Sequence, residues 1–136
     1  MTTKVLFLST MCPLDNRSGA AFQIRSTLTT LAEAGYEAHS LTLSLFDGTD
    51  QYPVSTILGQ EAAKPENHGK VIKKIVDSVE YNIFYTKSTR GNDLKPDEAG
   101  AFFNRAKQFL GRIGPDIVVT YGGSAFCKQL IDLAGE

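Results

Sequence analysis

The chain has 136 residues, 42% of them hydrophobic, with 14 basic and 15 acidic side chains and a net charge of −1. That length makes one domain able to bury about two-thirds of the surface its unfolded form exposes, and the ordinary composition excludes disordered and fibrous classes. The small net charge gives no general attraction to nucleic acid or to an anionic membrane.

No apolar run approaches the length needed to span a bilayer, so no transmembrane segment is expected. Met-Thr-Thr-Lys leads directly into a strand pattern without a signal-peptide signature, which predicts the cytoplasm. Cys12 and Cys127 are too few and too far apart in sequence for a disulfide framework and read as reduced thiols.

Val5, Leu6, Phe7 and Leu8 form an unbroken apolar run, the pattern of a strand covered on both faces of a parallel sheet. Asp15 to Gly19 are loop residues. Ala21, Ile24, Leu28 and Leu31 then recur at helical spacing, and Gly35 supplies the stop. Residues 37–45 alternate and predict a second strand, closing a βαβ unit with parallel strands and a right-handed crossover.

Residues 47–69 carry several Gly and Pro and predict a long loop with one short helix over 55–64. Residues 71–76 and 80–87, rich in β-branched and aromatic types, predict a hairpin around Asp77-Ser78. A polar loop over 88–95 leads to Pro96-Asp97-Glu98, which opens a helix, since Pro suits the first turn and acids suit its positive end. Its apolar stripe runs from Ala99 through Phe102, Phe103, Ala106, Phe109 and Leu110 to Ile113, and Gly114-Pro115 ends it.

Residues 116–121 predict another fully buried strand, and Gly122-Gly123-Ser124 turns it into a last helix with Phe126, Leu130, Leu133 and Ala134 inward. The fold class is therefore α/β: a doubly wound, mostly parallel, Rossmann-like sheet with an added β-hairpin. A helix followed by Gly announces a further strand in this chain, so the ending reads as part of a longer protein.

Two strand-to-helix corners carry small residues: Ser18-Gly19-Ala20, with Ala21 just inside the helix, and Gly122-Gly123-Ser124 after Tyr121. In open α/β sheets ligands bind outside the carboxyl ends of the strands, where strand order reverses. If the second strand and the hairpin extend the sheet on one side of the first strand, the strand over 116–121 belongs on its other side. Both corners then line one crevice, with unpaired N–H groups at a helix start suited to phosphate or carboxylate. The plainer reading is that these glycines only permit tight turns.

Neither Gly-x-Gly-x-x-Gly nor a P-loop is present, which argues against nicotinamide and P-loop chemistry. Cys12-Pro-Leu-Asp-Asn-Arg17-Ser18 is one residue short of the Cys-x5-Arg cradle of low-molecular-weight tyrosine phosphatases, and no later Asp-Pro supplies an acid. A small Cys-dependent phosphatase-like domain is thus an alternative, as is a non-catalytic binding or scaffold domain. His39 and His68 lack ligand spacing to the cysteines, so no metal site is expected, and His39 reads as a packed or edge histidine. Lys70, Lys73, Lys74, Lys87, Arg90 and Lys95 read as a solvated face, with a surface for phosphorylated or lipid-linked partners as the alternative.

Lys-Val-Leu-Phe-Leu-Ser over 4–9, a Pro-containing loop with Ser-Gly-Ala, and Leu-Ala-Glu-Ala-Gly-Tyr-Glu-Ala-His-Ser-Leu-Thr over 31–42 together resemble the N-terminal domain of GT-B glycosyltransferases of the family 4 type. Gly-Pro-Asp-Ile-Val-Val-Thr-Tyr-Gly-Gly over 114–123 is similar to that family's Pro-Asp-Ile-Val-His-x-His stretch. The resemblance covers most of the chain, weakly over 47–95.

It implies that residues 1–136 are a single acceptor-side domain, the N-terminal half of a GT-B architecture. A C-terminal donor-binding domain, which carries the family's Glu-x7-Glu motif, would lie outside this chain. The resemblance further implies sugar transfer from a nucleotide sugar to a glycan or lipid-linked acceptor, without a metal or other cofactor and without nucleic acid. Attachment at the inner membrane face is compatible with it. Gly19-Ala20 takes the place of the family's Gly-Gly turn, Val119 that of the first His and Tyr121 that of the second. A phenol can donate a hydrogen bond but is a poor base at neutral pH, so no catalytic residue is assigned. The site expected is Ser18, Gly19, Ala20, Ala21, Tyr121, Gly122, Gly123 and Ser124.

Overall fold

The computed structural model describes residues 2–16, 18–46, 54–87, 94–121 and 125–135, with side chains from 128 onward in the last segment. Strand β1 (Lys4–Leu8) lies in a five-stranded sheet with β2 (Glu37–Leu43), β3 (Val71–Val76), β4 (Val79–Phe84) and β5 (Ile117–Val119), in the order β3-β4-β2-β1-β5. All neighbouring pairs are parallel except the β3–β4 hairpin. The chain is thus α/β with a mixed, mostly parallel sheet, compatible with a Rossmann-like fold.

Helices cover both faces because the strand side chains alternate. Phe7 and Ala38 point to one face and pack with Ile24 and Leu28 of α1 (Gly19–Glu33). Leu6, Leu8, Leu41 and Leu43 point to the other, against Phe102, Ala106, Phe109 and Ile113 of α3 (Pro96–Ile113) and Leu130 and Leu133 of α4 (Ala125–Ala134). β1 is covered on both sides, as its unbroken apolar run requires. Among the described residues, no helix is long and apolar enough to cross a membrane.

The punctuation follows from local chemistry. Gly35 adopts φ +97°, and Tyr36 and Gly35 donate to the carbonyls of Leu31 and Ala32, a Schellman stop for α1. Gly114 at φ +59° does the same duty for α3 with one bond to Leu110. Asp77 and Ser78 both have positive φ, the twist a two-residue hairpin needs.

Three expectations require correction. The helix expected over 55–64 is the short α2 (Val54–Leu58), stopped at Gly59 with φ +91° and followed by a 3-10 turn at Pro65–Asn67. The fourth strand begins one residue earlier than its polar start suggested and ends at Phe84. β5 is not fully buried: it is the sheet's edge, and Ile117 and Val119 are 46% and 43% exposed. Helices α3 and α4 cover the Val118 side, while α1 leans toward β2 and leaves the opposite side of β5 open.

On the α1 face, the hydroxyls of Ser40 and Thr42 are buried without a hydrogen-bond partner among the described residues. A buried unsatisfied hydroxyl costs its desolvation penalty. Thr42→Val, close in shape and suited to a strand, is therefore expected to raise unfolding free energy by roughly 1 kcal/mol in urea titrations.

Candidate functional site: the crevice between β1 and β5

β1 and β5 run parallel and side by side, with Val5, Leu6 and Phe7 opposite Ile117, Val118 and Val119. Side chains fasten the pair at both ends. At the amino end, Lys4 N donates to Asp116 Oδ2 (2.8 Å) and Asp116 N to Lys4 O (2.9 Å). At the carboxyl end, Ser9 Oγ donates to the Tyr121 carbonyl at 2.9 Å.

Strand order reverses here. β1 leads through α1 to β2 on one side, and β5 lies on the other with α4 behind the opposite face. Helices α1 and α4, which follow β1 and β5, pack on opposite faces of the sheet, the arrangement in which open α/β sheets leave a crevice at the strand ends.

The loop after β1 leans away from that crevice. Met11 bridges to Leu45, and Cys12 N donates to Leu45 O at 3.0 Å. Arg25 Nη1 pins the loop to α1 through the carbonyls of Pro13 (2.7 Å) and Asp15 (3.0 Å).

Ser18 then caps α1. Its Oγ accepts from Ala21 N at 3.2 Å, and Phe22 N donates to its carbonyl at 3.1 Å. Of the four leading amides, those of Gly19 and Ala20 have no acceptor among the described residues. Gly19 has no positive φ, and a Cβ there would meet nothing within 4 Å. Neither backbone conformation nor packing requires a glycine at this position, which leaves room for close approach by a ligand.

The cap itself carries stability. Ser18→Ala is expected to cost about 1 kcal/mol by chemical denaturation, because Ala21 N loses its partner.

Of the expected site residues, Tyr121 follows the carboxyl end of β5, and Ser18, Gly19 and Ala20 form the start of α1. Ala21 does not belong with them. It is fully buried and its amide is already taken by Ser18, because the helix begins at Gly19 and turns Ala21 to the core. Gly122, Gly123 and Ser124 lie outside the described residues. Tyr121 is 48% exposed and, with Gln23 and Thr27 of α1, lines a groove of about 190 Å³ between helix and edge strand.

Sequence reasoning passed over Ser9, which ties β1 to Tyr121, and Arg25, which ties the loop after β1 to α1. A hydroxyl directly after an apolar strand was the available signal for Ser9. Nothing local marked Arg25, whose partners lie 10 and 12 residues back.

Cys12 is fully buried, and burial pushes its thiol up from 9.0 to about 12. A thiol in that setting holds its proton at neutral pH and is a poor nucleophile. Among the described residues, no three His, Cys, Asp or Glu side chains converge as a metal site. No family model, curated protein or solved structure matches the chain.

Proposed function

We propose that this chain is the acceptor-side half of a nucleotide-sugar-dependent glycosyltransferase of the GT-B, family 4 type, built on a doubly wound Rossmann-like sheet. The observation that carries the reading is the Ser9–Tyr121 hydrogen bond between β1 and β5, which joins their carboxyl ends, together with an α1 start whose Gly19 and Ala20 amides have no acceptor among the described residues. The order of motifs along the sequence supports it from the other direction.

In this reading the Gly19 and Ala20 amides and the positive end of α1 stabilise charge on a departing diphosphate. Tyr121, with the corner that follows it, shapes the acceptor side by donating a hydrogen bond rather than by removing a proton. A second domain would supply the rest of the donor site, so the 136-residue chain alone is expected to be inactive.

The test is release of nucleoside diphosphate from nucleotide sugars by the complete gene product. Gly19→Val fills the open space before the two amides and is expected to lower release about 100-fold, the effect of losing one oxyanion donor. Tyr121→Ala should lower it as well. Release unchanged by both substitutions would remove the site.

The phosphatase reading is disfavoured by the protonated, buried thiol of Cys12. It predicts aryl phosphate hydrolysis by the 136-residue chain, lost in Cys12→Ser. A scaffold domain would show neither activity, in the chain or in the complete product.

A further inference from the structure

At the opposite end of the strands, where β1 and β2 begin, a second cleft of about 490 Å³ opens beneath the last turns of α3. Its volume falls within the roughly 300–1,000 Å³ of small-molecule sites. Four cations line it, Lys4, Lys73, Arg105 and Arg112, against two carboxylates, Glu37 and Glu80.

Each carboxylate already faces His39 through one oxygen. His39, buried between them, shares a hydrogen bond of 2.8 Å through Nε2 with Glu37 Oε2, which holds the Glu37 carboxyl below its ordinary value. Glu80 Oε2 stands 3.0 Å from Nδ1, and its other oxygen lies 3.9 Å from Lys73 Nζ. Despite the short distance, Nδ1 makes no hydrogen bond to it: the alignment is poor, and the nitrogen is buried without another partner among the described residues.

Arg105 and Arg112 are in no ion pair among the described residues. Arg112 is instead laid over the Phe109 ring at 4.3 Å, which fixes its guanidinium in place. The negative end of α3 is offset locally by Lys4 Nζ, which donates to the Ile113 carbonyl at 3.2 Å. Cationic charge in this cleft therefore exceeds what the protein's own acids neutralise, and the underbonded Glu80–His39 contact marks a cluster incomplete as it stands.

We propose that this cleft binds a small, soluble phosphorylated compound, with Arg105, Arg112 and Lys73 on its phosphoryl oxygens. Guanidinium forks match tetrahedral oxyanions in geometry as well as charge. Glu37 and Asn82, at the same wall, offer acceptors to hydroxyls on the remainder of the molecule. This site is separate from the crevice at the carboxyl ends and does not depend on the glycosyltransferase reading.

Pyrophosphate is the probe, titrated at low salt into the isotope-labelled 136-residue chain while backbone amide resonances are followed. Saturable shifts are expected at Lys4, His39, Lys73, Arg105 and Arg112. The double change Arg105→Gln/Arg112→Gln should weaken binding at least about tenfold, the loss of one charge-assisted bond, with the remaining spectrum intact. Arg112→Gln alone, at an exposed position, serves if the double variant fails to fold. Lys70→Gln, exposed and outside the cleft, should leave the affinity unchanged. Absence of saturable shifts, shifts confined to residues 18–20, or affinity indifferent to the arginine changes would each overturn the proposal.

Discussion

Phe102→Ala is expected to remove about 3–5 kcal/mol of unfolding free energy. Such a loss is a large share of the about 5–15 kcal/mol that single domains hold in total. The Phe102 side chain is fully buried at the centre of the largest apolar cluster, among Leu6, Leu8, Leu41, Leu43, Ala106 and Leu130. Its ring meets the edge of Phe84 at 5.9 Å and 66°. Truncation forfeits the transfer energy of the ring, leaves a cavity between sheet and α3, and abolishes the aromatic pair.

Phe22→Ala supplies the comparison. That ring is 63% exposed, with the Arg25 guanidinium 5.8 Å from its centre, and its removal should cost less than about 0.5 kcal/mol. Guanidinium chloride titrations of both variants give the two values directly. A similar, small loss in both would mean that α3 does not pack on the sheet as described.

The same contrast explains what could be read from the sequence. Phe102 announces itself because it recurs with Ala106, Phe109 and Ile113 at helical spacing between a Pro-Asp-Glu start and a Gly-Pro stop. Four levels agree there: period, caps, charge and composition. The β1–α1–β2 unit was legible for the same reason, down to the Gly35 stop. The hairpin was legible from its β-branched arms, although Asp77-Ser78 lacks the glycine that usually marks such a turn. The placement of β5 beside β1 came from a rule about loops and strand ends rather than from its own residues.

What stayed hidden depends on neighbours. Ile117-Val118-Val119 reads as buried because three apolar residues in a row carry no record of which face goes uncovered; only strand order makes β5 an edge. The short α2 exists because Ile57 and Leu58 pack against Cys12, Phe46 and Tyr85, residues up to 46 positions away. Five residues have too few turns to show a period of their own.

At the candidate site, the corner Ser18-Gly19-Ala20 could be seen, but helix phase removed Ala21 from it. At the other end of the strands, Glu37 and His39 share a strand face by their spacing of two, while Glu80 joins them only through the β2–β4 register.

Above pH 9 the chain is expected to lose stability steeply, and Cys12→Ala is expected to blunt that loss. Burial lifts the Cys12 thiol from 9.0 to about 12 in the native state. Between those values the native protein keeps a proton that the unfolded chain has released. Stability contributed by the neutral buried thiol is therefore whole below pH 9 and is lost as pH rises toward 12. The slope is about 1.4 kcal/mol per pH unit, or on the order of 4 kcal/mol across the window. Tyr81, raised by burial from 10.0 to about 12, steepens the decline in the upper part of the same range.

Urea titrations from about pH 8 to about pH 11 should show wild-type stability falling faster than that of Cys12→Ala by that slope. Parallel curves would mean that the thiol already meets solvent in the native state. A second readout separates burial from reactivity: in a Cys127→Ser background, an aromatic disulfide reagent at neutral pH should label Cys12 only as fast as the protein opens. Rapid labelling would indicate an accessible thiolate at the end of β1 and restore the nucleophilic reading of Cys12. Slow labelling would leave the backbone donors at Gly19 and Ala20 as the groups best placed in that loop to meet an anion.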